Sequence, residues 1–351
     1  MQPSNATLHR TPGLRHGGKP QPSTMHLAFL IALVLLVAAV GASLALGAKP
    51  IALGTVWDAL WNADAGNEEH GIVRQLRLSR TVIGLAVGAA LAVAGALAQS
   101  LTRNPLADPG LLGLNAGAAL AIVLGSVFGG IQSAAPQAAL ALIGAAAAGA
   151  LVYGVGGGGG AAAPVRLALA GAAVTALLAA VTSAMVLADQ TVLNQLRYWL
   201  AGSLTGRSGL DFVPLVVVVA VLLALAALTT RPLAAVALGD DAAVSLGVRV
   251  GMTRAAVMGL VVALAAVSTA LAGPIAFVGL AVPHLVRSVT GASVGWLLAL
   301  SAPVGAATVL LADVAGRLVA RPGEISVGIA TALGGGIVLA VLARRMRTVA
   351  L

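Results

Sequence analysis

The sequence predicts an all-α, polytopic membrane protein with about ten transmembrane helices, and three observations lead to this fold class. Of the 351 residues, 59% are hydrophobic and only 9% are charged, whereas a soluble domain carries roughly 25% charged residues. The mean hydropathy is +1.01, too high for a protein that covers one apolar core with a polar surface. Eight stretches without Asp, Glu, Lys or Arg reach the length of about 20 residues that a helix needs to cross a bilayer.

Two of these stretches are too long for one helix, so breaks inside them set the number of segments. The stretch 109–165 is interrupted at Gly129-Gly130 and again around Pro136, which predicts two helices and a turn. The stretch 255–286 is interrupted at Gly273-Pro274, because proline cannot continue the hydrogen bonds of a helix. In order, the predicted segments are 25–47, 80–101, 111–129, 134–155, 165–187, 212–229, 251–272, 275–287, 295–316 and 326–343.

The ends of the chain and its sidedness follow from composition and charge. Residues 1–24 are rich in Pro, Gly, Ser and His and predict a disordered tail before a single transmembrane domain at 25–347. The basic residues before the first apolar stretch would suit a cleaved signal peptide. The stretch is, however, longer than the apolar region of a signal peptide, so we expect a transmembrane helix. An even number of spans places both termini on one side, together with twelve of the 20 Lys and Arg residues. This bias predicts cytoplasmic termini and a location in the cell (cytoplasmic) membrane.

Several functions are disfavoured by what the sequence lacks. It contains no Cys, which excludes disulfides and thiolate metal sites, and its dispersed basic residues with few aromatics do not resemble a nucleic-acid surface. The glycine run 156–160 fits a dinucleotide-binding pattern only formally, because no strand precedes it, and it predicts a cytoplasmic turn.

Ionisable residues are almost absent from the spans: Asp313 lies at an outer end, one turn before Arg317, and His284 lies near the inner surface. We therefore expect no cofactor and no internal energy coupling, so that a partner would supply energy for transport.

The cytoplasmic segment 230–250 is a candidate attachment point for that partner. Pro232 suits the start of a short helix and Gly239 its end, while Asp240 suits the cap of a second helix that ends at Gly247. Two short helices would form a compact knob for a partner protein. A simple amphipathic connector on the membrane surface fits the segment equally well.

Two small-residue spacings permit close helix packing. They are Gly84-x-x-x-Gly88 and Gly113-x-x-x-Gly117, and such spacings let helix backbones approach each other in membranes. They could face either a pore or a neighbouring helix of the same subunit.

Several long motifs follow one another along residues 50–347. They are Arg77-Leu-Ser-Arg80, Arg103-Asn-Pro-Leu-Ala-Asp-Pro109, Leu112-Gly-Leu-Asn-Ala-Gly-Ala118, Trp199-Leu-Ala-Gly-Ser-Leu204, Leu238-Gly-Asp-Asp-Ala-Ala-Val-Ser-Leu-Gly247, Gly273-Pro-Ile-Ala-Phe-Val-Gly-Leu-Ala-Val-Pro-His-Leu-Val-Arg287, Ala312-Asp-Val-Ala-Gly-Arg317 and Glu324-Ile-Ser-Val-Gly-Ile329. In this combination the chain resembles the iron-siderophore, haem and cobalamin permeases of ATP-binding-cassette (ABC) importers. Ser79 and Ser326 depart from that family, which usually has Pro at both positions.

The resemblance implies the type II ABC importer permease fold and a set of partners. These are a second permease subunit, identical or related, with the pore between the two; two cytoplasmic ATPase subunits; and an extracytoplasmic substrate-binding protein. The chain itself would be a non-catalytic transport subunit surrounded by membrane lipid. Its cargo would be a ferric siderophore, with haem or cobalamin as the alternative. The rivals from other classes, an ion-coupled secondary transporter and a membrane enzyme, are disfavoured because the spans carry no charge relay or nucleophile–base pair.

Two groups of site residues are implied by the same resemblance. Arg77, Arg80 and Arg317 would dock the binding protein through acidic residues on that partner. The coupling helices that contact the ATPase would lie at about 231–248, with the matching residues Arg231, Pro232, Leu238, Gly239, Asp240, Asp241, Leu246 and Gly247.

Overall fold

The structure is a computed structural model that describes residues 22–156, 163–205 and 211–347, and the regular elements in these ranges are all helical. In chain order the α-helices are α1 (Pro22–Ala45), α2 (Leu53–Trp61), α3 (Glu68–Gly71), α4 (Leu78–Thr102), α5 (Leu114–Gly129), α6 (Ala134–Gly156), α7 (Ala163–Val186), α8 (Gln190–Leu200), α9 (Val213–Leu228), α10 (Thr230–Leu238), α11 (Asp240–Ser245), α12 (Val250–Ala272), α13 (Val278–Thr290), α14 (Val294–Val319) and α15 (Val327–Arg347). A π-helical turn, Ile72–Arg77, joins α3 to α4. Helix α1 begins slightly before the predicted start at 25; the rest of the predicted tail, and most of the glycine run, lie outside the described residues.

A helix lies at each of the ten predicted transmembrane segments, which confirms the all-α membrane fold. Six helical stretches in the described ranges are long and apolar enough to cross a membrane, and the pair α9 and α10, bent by 50°, adds a seventh. The predicted segments 111–129, 275–287 and 326–343 coincide with α5, α13 and α15, of which α5 and α15 are shorter apolar helices. The ten predicted segments therefore comprise six full spans, the bent pair of α9 and α10, the two shorter apolar helices α5 and α15, and the 13-residue helix α13.

Helix α4 forms the centre of the bundle. In its apolar stretch 89% of the residues are buried, against 22% in α1. It packs against α9, α12, α13 and α14, while α1 lies outside on α14. The many Ala and Gly residues of α4 allow this enclosure, because small side chains let several helices approach one backbone.

The small-residue spacings pack within the subunit. A Cβ atom on Gly88 would collide with the carbonyl of Gly305 in α14, and one on Gly117 in α5 would collide with the carbonyl of Gly144 in α6. Gly84 lies against Leu310 of α14. Of the two locations left open by the sequence, a neighbouring helix of the same subunit is therefore the one observed for these glycines.

A polar contact accompanies the crossing of α4 and α13. Pro283 has no N–H, so the carbonyl of Gly279 lacks its usual helical partner in α13. The Gln99 amide nitrogen lies 3.4 Å from the carbonyl oxygen of Gly279 and 3.2 Å from that of Leu280. Gly95 lies so close that a Cβ atom would overlap the Gly279 carbonyl. Gln99 therefore supplies a hydrogen bond at a crossing where the two backbones touch.

Candidate functional site

The arginine cluster, formed by Arg77, Arg80, Asp313, Arg317 and Glu324, lies at the end of the molecule that the charge pattern predicts to be extracytoplasmic. Arg77 ends the π-helical turn and Arg80 lies in the first turn of α4, while Arg317 lies in the last turn of α14. Because α4 and α14 pack side by side in opposite directions, the three predicted docking arginines meet in one place.

Asp313 is the centre of this cluster. Its carboxylate is completely buried and accepts from Arg80 Nε at 3.0 and 2.9 Å and from Arg80 Nη2 at 2.7 Å. Arg317 Nη2 lies 3.0 Å from its other oxygen. Arg80 Nη1 donates to Glu324 at 2.8 Å. A buried carboxylate between two guanidinium groups is stabilised by charge-assisted hydrogen bonds that water does not weaken.

The same arginines hold the C-terminal end of α1. Arg77 Nη1 donates to the Leu44 carbonyl at 2.7 Å, and its Nη2 donates to the Lys49 carbonyl. Arg317 Nη1 donates to the carbonyls of Ser43 and Leu46, at 3.1 and 2.8 Å. The last carbonyls of a helix have no partner within it, and basic side chains can satisfy them. The cluster therefore attaches the peripheral helix α1 to the central pair α4 and α14.

Exposure distinguishes the members of the cluster. Arg77, Arg80 and Arg317 are only 5%, 8% and 6% exposed, whereas the Glu324 side chain is 44% exposed. The cluster borders an open cavity of about 540 Å³, whose wall also includes Lys49.

The docking role of the arginines stays a prediction, and the structure adds internal partners that the sequence did not indicate. The spacing of Asp313 and Arg317 pointed to one of these contacts, but no sequence signal linked Arg80 to Asp313, 233 residues away.

The predicted coupling helices are the two short helices α10 and α11. Gly239 separates them with φ 133° and ψ 154°, a conformation that glycine adopts more readily than other residues. Gly247 follows α11 with φ 76°. Helix α10 begins at Thr230, so that Pro232 lies in its first turn as expected. Asp240 does not cap α11: it is the first residue of that helix, and no side-chain cap bond is formed there.

The Asp240 carboxylate instead joins α11 to two long helices. Arg103, which follows α4, donates through Nη2 to Asp240 Oδ1 at 2.8 Å and to the Val236 carbonyl at 2.7 Å. Arg254 of α12 donates to both Asp240 oxygens, at 2.9 and 3.0 Å. The three side chains are 29–46% exposed, so each ion pair contributes about 1 kcal/mol or less. Their combined effect is to fix the orientation of the two short helices.

One face of α10 and α11 anchors the segment and the other is exposed. Leu233 and Ala243 are buried, whereas Leu238, Val244 and Leu246 are 76%, 64% and 66% exposed. An exposed group of large apolar side chains is typical of a surface that another protein or a membrane covers. The remaining predicted coupling residues, Arg231 and Asp241, are also exposed.

A second cavity, of about 340 Å³, lies between α4, α5, α12 and the start of α13. Its polar wall includes Asp108, Asn115 and Thr269, and the Thr269 hydroxyl donates to the Asn115 amide oxygen at 3.1 Å. Burial raises the pKa of the Asp108 carboxyl, although the Gly110 N–H donates to it. In the part of the chain that the structure describes, no group of three or more His, Asp or Glu side chains is placed to hold a metal ion.

Comparison with known proteins agrees with this architecture over nearly the whole chain. Residues 34–345 match the model of the FecCD transport family. The ferric enterobactin transport system permease protein FepD of Escherichia coli is 43% identical over 314 residues, which cover 89% of this chain and 93% of FepD. The probable siderophore transport system permease protein YfiZ of Bacillus subtilis is 37% identical over 92% of this chain and 97% of its own length. A metal-chelate type ABC transporter solved in an inward-facing conformation superposes with a TM-score of 0.78 at 27% identity, over 91% of this chain and 99% of the other.

Proposed function

The chain belongs to the FecCD transport family and is a multi-pass permease subunit of an ABC importer, and on that basis we propose that its cargo is a ferric siderophore. The observation that carries the proposal is the similarity to FepD, which is named for ferric enterobactin and matches over 89% of this chain. Haem or cobalamin is the second candidate, because the motifs of this sequence also resemble permeases for those chelates.

The complete importer contains four further subunits in this proposal. A second copy of this chain, or a related permease, completes a pore at the interface of the two. Two ATPase subunits bind on the cytoplasmic side and hydrolyse ATP, and a binding protein delivers the chelate from outside. The distribution of Lys and Arg supports cytoplasmic termini in the inner membrane.

The exposed side of α10 and α11 is the attachment point for the ATPase. Its support is the group of apolar side chains at Leu238, Val244 and Leu246, held in a fixed orientation by the bonds of Asp240 to Arg103 and Arg254. Movement of the ATPase would then reach α4 and α12 directly through those bonds.

The arginine cluster is the docking point for the binding protein. The cluster contains three guanidinium groups and two carboxylates, Asp313 and Glu324, which leaves an excess of one positive charge beside an open cavity. Acidic residues on a partner would be attracted to this excess, and the association would weaken as salt is added.

Uptake into liposomes tests the cargo. The complete importer is reconstituted with its ATPase and binding protein, and accumulation of a ferric siderophore, ferric enterobactin first, is compared with that of haem and of cobalamin. We expect ATP-dependent accumulation of the ferric siderophore, which an excess of either other chelate does not inhibit. Accumulation of haem or cobalamin in its place would assign the chain to the second candidate. Accumulation that continues without ATP under a proton gradient would contradict an ABC importer altogether.

A further inference from the structure

Arg80 has one partner that is buried and one that is accessible. Its Nε and Nη2 atoms are bound to Asp313, which is completely buried, and its Nη1 atom is bound to Glu324, whose side chain is 44% exposed. The contacts described for Arg77 and Arg317 are with Asp313, Ser43 and backbone carbonyls at the end of α1. Among the carboxylates that the described contacts place on the three arginines, Glu324 is therefore the one that is partly exposed to solvent, since Asp313 is completely buried.

The backbone around Glu324 is held in place. Ile325 N–H donates to the Gly316 carbonyl of α14 at 3.2 Å, and a Cβ atom on Gly316 would collide with the Ile325 carbonyl. On the other side, Arg321 donates to the Gly47 carbonyl at 2.7 Å. Glu324 can therefore leave Arg80 by rotation of its own side chain, without rearrangement of the connection between α14 and α15.

The charges favour replacement of Glu324 by another carboxylate. With Glu324 in place, the cluster has an excess of one positive charge, and without it the excess is two. Without Glu324, Arg80 would stay paired with Asp313 through Nε and Nη2, but its Nη1 would lose its described partner, and a nearly buried donor without a partner is costly. A carboxylate from another protein would restore the same charge-assisted hydrogen bond, and the displaced Glu324, already half in water, would become fully hydrated.

We propose that Glu324 occupies, in the free permease, the position on Arg80 Nη1 that a carboxylate of the binding protein takes on docking. Glu324 is then an internal competitor: it keeps Nη1 of Arg80 hydrogen-bonded when no binding protein is present, and it lowers the affinity of the docked complex. This inference rests on the proposed docking role of the arginine cluster and adds the atom at which docking occurs. It also explains how a docking arginine can be nearly buried in the unbound permease.

Affinity measurements on the Glu324→Gln variant test the proposal. The permease, complexed with its ATPase in nanodiscs, is titrated with the binding protein that restores uptake, in its chelate-free form. Glutamine keeps the size of the side chain and removes its charge, and Arg80 keeps its bonds to Asp313 through Nε and Nη2. We expect the Kd to fall by about twofold to fivefold, the range of an exposed ion pair.

Glu68→Gln is the matched control. Glu68 lies on the same side of the molecule, its side chain is 82% exposed, and its carboxylate is 3.8 Å from Lys49 rather than on an arginine of the cluster. The control removes the same charge, so it measures general attraction of an acidic partner, and we expect little change in Kd. Equal tightening by both variants would overturn the proposal. So would an unchanged or higher Kd for Glu324→Gln, or a failure of that variant to assemble, since an exchangeable contact is not needed for folding.

Two further measurements distinguish a failure of this inference from a failure of the proposed docking role of the arginine cluster. The Kd of the unaltered permease is measured at increasing salt; an affinity that does not depend on salt would contradict charged docking itself. A salt-dependent affinity that Glu324→Gln fails to increase contradicts only the role of Glu324. Tightening that occurs with chelate-loaded but not chelate-free binding protein would mean that the competing carboxylate belongs to the cargo, which also overturns the proposal.

Discussion

At the scale of single residues, Asp313 is the side chain on which most of the arginine cluster depends. It is completely buried, and it neutralises Arg80 and Arg317, which are themselves nearly buried. The cluster also holds α1 through backbone carbonyls, so a change at Asp313 affects the attachment of a whole helix. This position has no accessible surface, which makes its role one of folding rather than of contact with a partner.

We therefore expect Asp313→Asn to destabilise the subunit strongly. Asparagine keeps the shape of the side chain but removes the buried counter-charge that Arg317 and Arg80 share, which leaves Arg80 with Glu324 alone, and breaking a buried ion pair costs about 3–5 kcal/mol. The measurement is the Tm of the purified subunit in detergent, together with the yield from membranes. Asp58→Asn in α2, an exposed position, is the control and should leave both unchanged. A Tm within error of the original for Asp313→Asn would show that the arginines find other partners.

At the scale of elements, the close contact between α4 and α13 gives a second stability prediction. Gly95→Ala places a methyl group where the Gly279 carbonyl lies, and overpacking of this kind costs about 1–3 kcal/mol. Gly259→Ala in α12 is the matched control, because its Cβ would meet nothing within 4 Å, and it should be neutral or slightly stabilising. Thermal melting of the two variants measures the difference. Equal melting temperatures would mean that α13 moves away from α4 at no cost.

A third prediction concerns the turn between α10 and α11. Gly239 has a backbone conformation that other residues adopt only with strain of about 1–3 kcal/mol, and its Cβ direction is open, so Gly239→Val acts on the backbone alone. We expect an assembled importer that transports several-fold less chelate per ATP hydrolysed. Gly251→Val introduces the same side chain in α12 at another open position and serves as the control. Full transport per ATP in Gly239→Val would favour a simple connector.

The elements also show which features the sequence could predict. Every long apolar stretch contains a helix. The interior of a bilayer requires segments without charged residues, so these segments can be recognised in the sequence. The short helices α2, α3 and α8 were not predicted, since they are too short for a span. The two helices of the coupling segment were predicted from Pro232 and Gly239, but the cap at Asp240 was wrong, because its carboxylate is taken by Arg103 and Arg254. Ion pairs between residues that are far apart in the sequence leave no local sequence pattern from which they could be predicted.

At the scale of the whole molecule, the distribution of buried surface indicates a subunit that works in an assembly. Helix α4 is enclosed, whereas α1, α6 and α7 have only 22–33% of their apolar stretches buried. This exposed apolar surface is available to lipid and to a second permease. Charged residues concentrate at the two ends of the described bundle, in the arginine cluster and around Asp240, where the proposed partners attach.

The last prediction follows from that division of roles: the chain alone neither hydrolyses ATP nor transports. In the proposed importer the energy source lies outside this polypeptide, and conformational change in the bundle would then depend on contacts at α10 and α11. Purified and reconstituted alone in liposomes, the subunit should show no ATPase activity above empty vesicles and no uptake of a ferric siderophore. Addition of the ATPase and the binding protein should produce both. ATP hydrolysis by the isolated chain, at a rate that persists after further purification, would contradict this assignment, because the activity would then belong to the permease itself.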